Sequence, residues 1–155
     1  MAAIAALALI AAGCGDSEDE APESSTGAES RATFIAAADA ICTDTATEVK
    51  VEVRKRFEGA TAAPSNEDLV AFFTEVTLPA LRAQFDEIAA LPPPAGEEER
   101  VQAIVDAGRG AIAESEEDPQ ALLVPQGSST PFDEVNGLAQ DLGLQVCGAA
   151  DPDAS

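Results

Sequence analysis

Three cysteines, Cys14, Cys42 and Cys147, and a tight group of four bases offer most of the side-chain chemistry in this chain, and no histidine accompanies them. Without histidine a Ser-His-Asp or Cys-His mechanism is excluded, and the commonest metal ligand is missing. An enzyme would need converging carboxylates with shifted pKa values, Lys50, or an external cofactor. The sequence holds no P-loop, GxGxxG phosphate loop, GxSxG elbow or D-x-D-x-D-G calcium loop. Lys50, Arg54, Lys55 and Arg56 put half of the eight bases into seven positions. They suit a helix C-terminus, with Glu48, Glu52 and Glu58 as pairing partners. The functional alternative is an anion contact for a phosphate-bearing envelope polymer or lipid headgroup. Glu97-Glu98-Glu99 and the group Glu114, Glu116, Glu117 and Asp118 are dense in acid. Consecutive helical residues point in different directions, however, so neither group makes a shared cation site. The expectation is no metal and no cofactor.

With 29 acids against 8 bases, the formal charge is −21. A duplex or an anionic lipid surface would repel such a chain, so no nucleic-acid partner is expected. The charge reads as solubility outside the cell. The 46% hydrophobic content leans on alanine, with six Phe and no Tyr or Trp. That balance favours closely packed helices over sheets and places the chain in the all-α class. A length of 155 residues leaves room for one domain.

Met1 to Ala12 carry no charged side chain and form an apolar run. It fits the core of a signal peptide and is too short to span a bilayer as a helix. The run closes on Ala11-Ala12-Gly13-Cys14, which resembles the bacterial lipobox. The resemblance implies removal of residues 1–13 as a signal peptide and lipidation of Cys14. Ala11 stands where Leu is usual and no base precedes the run, so upstream in-frame codons are expected to supply Lys or Arg. Gly15 to Ser30 hold six acids, no base, and no Val, Ile, Leu or Phe. Such a segment cannot bury enough apolar surface to offset its ordering entropy, so residues 14–30 read as a lipidated cysteine plus a disordered acidic tether. The expected location is the outer face of the cell membrane, with the membrane itself a partner through the lipid anchor.

If Cys14 is lipidated, Cys42 and Cys147 remain as a pair. Export places them in an oxidising setting, where an even pair bridges. A redox pair is the alternative, although redox cysteines usually sit close in sequence. A bridge would close a loop of roughly 100 residues, worth about 4–5 kcal/mol in the loop-entropy model. If the first and fourth helices are antiparallel neighbours, the two Cα atoms should fall within about 4.4–6.8 Å.

Four helices are expected to position these residues, in a domain over 31–148 followed by a disordered tail at 149–155. The first spans Arg31 to Glu58, with Phe34, Ala38, Ile41, Thr45, Val49, Val53 and Phe57 on one stripe and Gly59 as its C-terminal cap. Val49, Val51 and Val53 also alternate as in a strand, but the Ala-rich stretch before them and an expected Glu52–Arg56 pair favour helix. The second spans Ser65 to Ala90 and opens on a capping box, Ser65-Asn66-Glu67-Asp68. Its stripe of Leu69, Phe73 and Val76 is offset from that of Leu78, Leu81, Phe85 and Ile88, and Pro79 should kink the helix at the offset. The third runs from about Ala95 to Glu117, burying Val101, Ile104, Val105, Gly108 and Ile112. Gly108 and Gly110 weaken it and suggest close contact with another helix. A short turn at Gln120 to Val124 and a loop at Gln126 to Ser129 follow. Thr130 caps the fourth helix with Pro131 at its first position, Val135, Leu138, Ala139 and Leu142 face the core, and Gly143 ends it. The fold expected is an antiparallel four-helix bundle closed by one disulfide.

The Phe34-Ile35 and Ala38-Asp39-Ala40-Ile41-Cys42 stretches, the Leu91-Pro92-Pro93-Pro94 break and the closing Leu142-Gly143-Leu144-Gln145-Val146-Cys147 together resemble a group of small, uncharacterised helical lipoproteins of high-GC Gram-positive bacteria. The resemblance covers Arg31 to Gly148. It implies a helical bundle and the bridge, and carries over no activity or catalytic residue. The resulting expectation is a non-catalytic cell-envelope module that binds a partner protein or a wall component. The alternative is a carrier with an apolar cavity between its helices. A deep pocket lined by Phe34, Phe73, Phe85 and Ile112 would favour the carrier, and an exposed apolar patch would favour the partner module.

Overall fold

The computed structural model describes residues 23–123 and 128–149. Cys14, the signal peptide, the first part of the tether and the tail beyond Ala149 lie outside them, as do Val124 and Pro125 and half of the Gln126 to Ser129 loop, Gln126 and Gly127. Among the described residues the structure is all helical and has no strand. Its elements are α1 (Glu23–Phe57), α2 (Asn66–Phe72), a π-helical turn (Phe73–Thr77), α3 (Leu78–Ala90), α4 (Glu98–Glu117), a 3-10 turn (Pro119–Leu122) and α5 (Asp133–Leu142). The backbone stays in the right-handed helical region from α2 through the π turn into α3, so these three form one continuous rod. The described residues therefore build four helical rods.

α1 begins at Glu23, eight residues before the expected start at Arg31, so part of the segment read as tether is helical. Once a helix is nucleated, each added residue gains a hydrogen bond at little further cost, and the well-packed turns around Phe34 and Ala38 supply the nucleus. The Ser30 hydroxyl donates to the Gly27 carbonyl and the Thr33 hydroxyl to the Glu29 carbonyl. The strand-like valines at 49, 51 and 53 lie within this helix. Thirty-five residues make it about 52 Å long, against about 30 Å for α4. Its C-terminal end packs on the second rod through Phe57 and Arg56. The expected stripe fades along it: Phe34 and Ala38 are buried, Ile41, Thr45, Val49 and Phe57 are half-buried, and Val53 is 39% exposed.

The second rod opens on the expected capping box. The Ser65 hydroxyl accepts from the Asp68 N–H, and the Asp68 carboxylate accepts from the Ser65 N–H. The stripe offset is absorbed by the π turn. There the Leu78 N–H donates to the Phe73 carbonyl, five residues back. Pro79 has no N–H and its ring crowds the carbonyl four residues earlier, and a π turn relieves both by widening the register by one residue. The same shift makes Phe72 the buried aromatic, with its ring centroid 5.9 Å from that of Phe57, and leaves Phe73 half-buried.

α4 starts three residues later than expected, after a positive-φ Gly96, and buries all five of the residues assigned to its core face. It packs closely on α3: Asp86 pairs with Arg109 at 2.7 Å and Arg82 with Glu116 at 2.6 Å, so partners follow opposite order along the two helices. α5 starts at Asp133 rather than at Pro131. Thr130 still organises its entry, with its hydroxyl 2.7 Å from the Asp133 carboxylate and accepting from the Phe132 N–H. Gly143 ends the helix at φ 96°, a conformation that favours glycine. The core joins residues from all four rods, including Phe34, Phe85, Ile112 and Leu142. Ile112 and Leu142 are almost wholly buried, and each such side chain contributes about 1.5–3 kcal/mol of transfer free energy.

Cys42 and Cys147 are joined by a disulfide with a Cα–Cα distance of 5.4 Å across 105 residues of sequence. Because α1 starts early, Cys42 lies near the middle of its helix. Beside the bridge, the Asp39 carboxylate accepts from the backbone N–H groups of Gln145, Val146 and Cys147 at 3.0, 2.9 and 3.3 Å. This clamp holds the segment after α5 against α1. Arg31 and Arg100 donate to the carbonyls of Leu142 and Asp141, satisfying two of the acceptors left open at the end of α5.

Candidate functional site

Steps of three and four along α1 bring Cys42, Thr45, Ala46 and Val49 to one wall of a cavity. Thr77, Leu81, Gln84, Phe85 and Ile88 form the facing wall from the second rod, and Ile104 of α4 closes behind them. Phe132, Val135, Asn136 and Ala139 of α5 complete the enclosure, with the bridge and Val146 at its edge. The cavity measures about 300 Å³. Its wall is mainly apolar, and its neutral polar groups are the hydroxyls of Thr45 and Thr77 and the amides of Gln84 and Asn136. Although the chain carries 29 acids, none lines the cavity among the described residues. Lys50 is the one charged residue on its lining, at the exposed rim.

The four aromatic and aliphatic residues expected to line a pocket are only partly brought together. Phe85 is on the wall. Phe34 lies instead in a separate shallow groove with Ala37, Leu91, Pro92 and Pro93. Phe73 is half-buried and does not line the wall, where Thr77 stands four residues before Leu81. Ile112 is packed in the solid part of the core.

The basic cluster is also dispersed. Lys55 pairs with Glu52 at 2.6 Å, and Arg56 reaches across to Glu75 in the π turn at 2.8 Å. The expected Glu52–Arg56 pair is thus replaced by two others, because Arg56 faces the second rod. The Arg54 guanidinium donates to the Lys50 carbonyl. The hollow beside Arg54 and Lys55 is lined by α1 alone, so no second element helps to shape an anion site there. No three His, Cys, Asp or Glu side chains converge among the described residues.

Sequence reasoning missed Asp39 as a clamp and Gln84, Thr77 and Asn136 as wall residues. One signal was readable for Gln84. It sits three residues after Leu81 and four before Ile88, a polar side chain on the apolar face of its helix, and it is only 8% exposed. Two aspartates outside the cavity are tuned by caps. Hydrogen bonds from Ser65 hold the Asp68 carboxyl below the ordinary aspartate value, and those from Thr130 do the same for Asp133. Comparison of the chain with protein-family models, curated proteins and solved structures gives no match.

Proposed function

We propose that this chain is a non-catalytic binding module, lipid-anchored through Cys14 on the outer face of the cell membrane, whose helical domain holds a small apolar ligand. The observation that carries the reading is the half-open, largely apolar cavity beside the Cys42–Cys147 bridge, at the lower end of the size range of small-molecule sites. The pattern of exposure supports it as well. Val53 is the one large hydrophobic residue exposed among those described, so no broad apolar patch invites a protein partner. We read the four rods as an antiparallel four-helix bundle, a fold that builds ligand sites between facing helices, and the reversed order of the α3–α4 pairs supports this.

The absence of Tyr and Trp gives the chain a low intrinsic fluorescence background. An environment-sensitive apolar dye should therefore report binding directly, as a saturable one-to-one rise in emission. Ala46→Leu, which projects into the cavity from a half-buried wall position, should weaken that binding. Emission that never saturates, or is indifferent to Ala46→Leu, would count against the cavity. For the anchor, Cys14→Ser should move the expressed protein from the detergent phase to the aqueous phase, and equal partitioning of the two forms would refute it.

A second reading has one specific observation behind it. The shallow groove of Phe34, Ala37, Leu91, Pro92 and Pro93 offers an apolar surface to an envelope protein or wall component.

A further inference from the structure

We infer that the cavity selects an apolar molecule carrying one neutral hydrogen-bonding head, an alcohol, ester or amide, and that Gln84, with Thr77 and Asn136, receives that head. The inference rests on the reading of the cavity as a ligand site and adds the chemistry of the ligand. Gln84 is 8% exposed, and its side-chain amide makes no hydrogen bond to another described residue. The Thr77 hydroxyl oxygen is fully buried and also has no partner. The half-buried Asn136 amide makes no hydrogen bond to another described residue and lies across the cavity on α5. Buried polar groups are normally hydrogen-bonded, because leaving one unpaired forfeits its hydration without return. The Thr77 hydroxyl is such a group on this wall, and with the Gln84 and Asn136 amides it leaves donors and acceptors that a ligand's head can satisfy.

The charge of the head follows from the surroundings. No acid lines the wall, so a cationic head would be buried without a counter-charge. An anionic head at Gln84 would be desolvated inside a chain of net charge −21, with the Lys50 side chain out at the exposed rim. A neutral donor–acceptor group meets neither obstacle. Amide and hydroxyl side chains can each donate and accept, so they suit a head that does both.

The test displaces a bound apolar dye from the full chain with four probes that share one tail: octane, octanol, octanoate and octylamine. Octanol should compete at a concentration about three- to tenfold lower than the other three, the span expected for one net hydrogen bond. Gln84→Met keeps the volume and removes the amide. It should abolish the advantage of octanol over octane while leaving octane unchanged, and it should melt no lower than the parent chain. The isosteric Thr77→Val should act in the same direction. Equal competition by octane and octanol would overturn the neutral-head assignment while leaving the cavity as a ligand site. Octanoate competing best, and losing its advantage in Lys50→Met, would overturn it in favour of an anion. If none of the four displaces the dye, the cavity reading itself fails.

Discussion

The Phe85 ring lies so close over Gly108 that a β-carbon added to that glycine would fall within 2.3–2.5 Å of three ring atoms. Phe85 is also a wall of the cavity, so this contact fixes one side of the site as well as the α3–α4 packing. Gly108→Ala should destabilise the domain by about 1–3 kcal/mol through overpacking, despite the better helix propensity of alanine. Gly110, two residues on, is exposed with nothing within 4 Å of its added β-carbon. Gly110→Ala should stabilise by up to about 1 kcal/mol. Urea unfolding of the two variants should move the midpoint in opposite directions, and movement in the same direction would contradict the contact.

Asp39 accepts three backbone N–H groups beside the bridge. Removing the carboxylate leaves those donors without it, at a cost of about 1–3 kcal/mol. Asp39→Ala should lower stability by that amount and speed amide exchange at Gln145, Val146 and Cys147. Unchanged exchange at those three amides would argue against the clamp.

Because the bridge spans 105 residues, its loss should cost about 4–5 kcal/mol if loop entropy dominates. The Cys42→Ala, Cys147→Ala double variant should melt well below the parent while keeping its helix content at 25 °C. An unchanged melting temperature would show that the Asp39 clamp alone fixes the segment. A non-reducing peptide map of protein from its native host should recover Cys42 and Cys147 in one linked pair.

Asp68 and Asp133 titrate below the ordinary aspartate value in the folded chain, through hydrogen bonds from Ser65 and Thr130. A folded-state pKa lowered in this way adds stability that is complete above the unfolded value, about 3.9, and is lost as pH falls through the folded value. Ser65→Ala and Thr130→Ala should therefore be destabilising near neutral pH. Their difference from the parent should shrink as the pH drops below about 4. A difference that grows on acidification would reverse the assignment.

Much of this arrangement is legible in the order of residues. The steps Val101, Ile104, Val105, Gly108 and Ile112 define the buried face of α4, because a core face needs only local periodicity. Ser65 with Asp68, and Gly143, mark helix ends because caps are local too. The bridge followed from cysteine parity once Cys14 had been assigned elsewhere. What was not legible depends on partners. The burial of Val53 failed although Val49 and Phe57 on either side of it find partners, because periodicity does not reveal which turns of a long helix are covered. Pro79 and the stripe offset signalled a defect in the second rod, but not the π turn that absorbs it. The early start of α1 was hidden because Glu23 to Ser30 have no apolar face and borrow their helicity from the turns that follow. A cavity is space that four rods leave unfilled, and no single stripe encodes it.

The central claim is that the cavity beside the bridge is the ligand site. Two-dimensional amide NMR of the full chain, titrated with octanol, tests it by location. Saturable shifts should cluster on Thr45, Thr77, Gln84, Asn136 and Cys147, which surround the cavity on four segments of the chain. Shifts confined to Phe34 and Leu91 in the groove, or to residues 51–58 at the end of α1, would contradict the account, as would a spectrum unchanged at millimolar octanol.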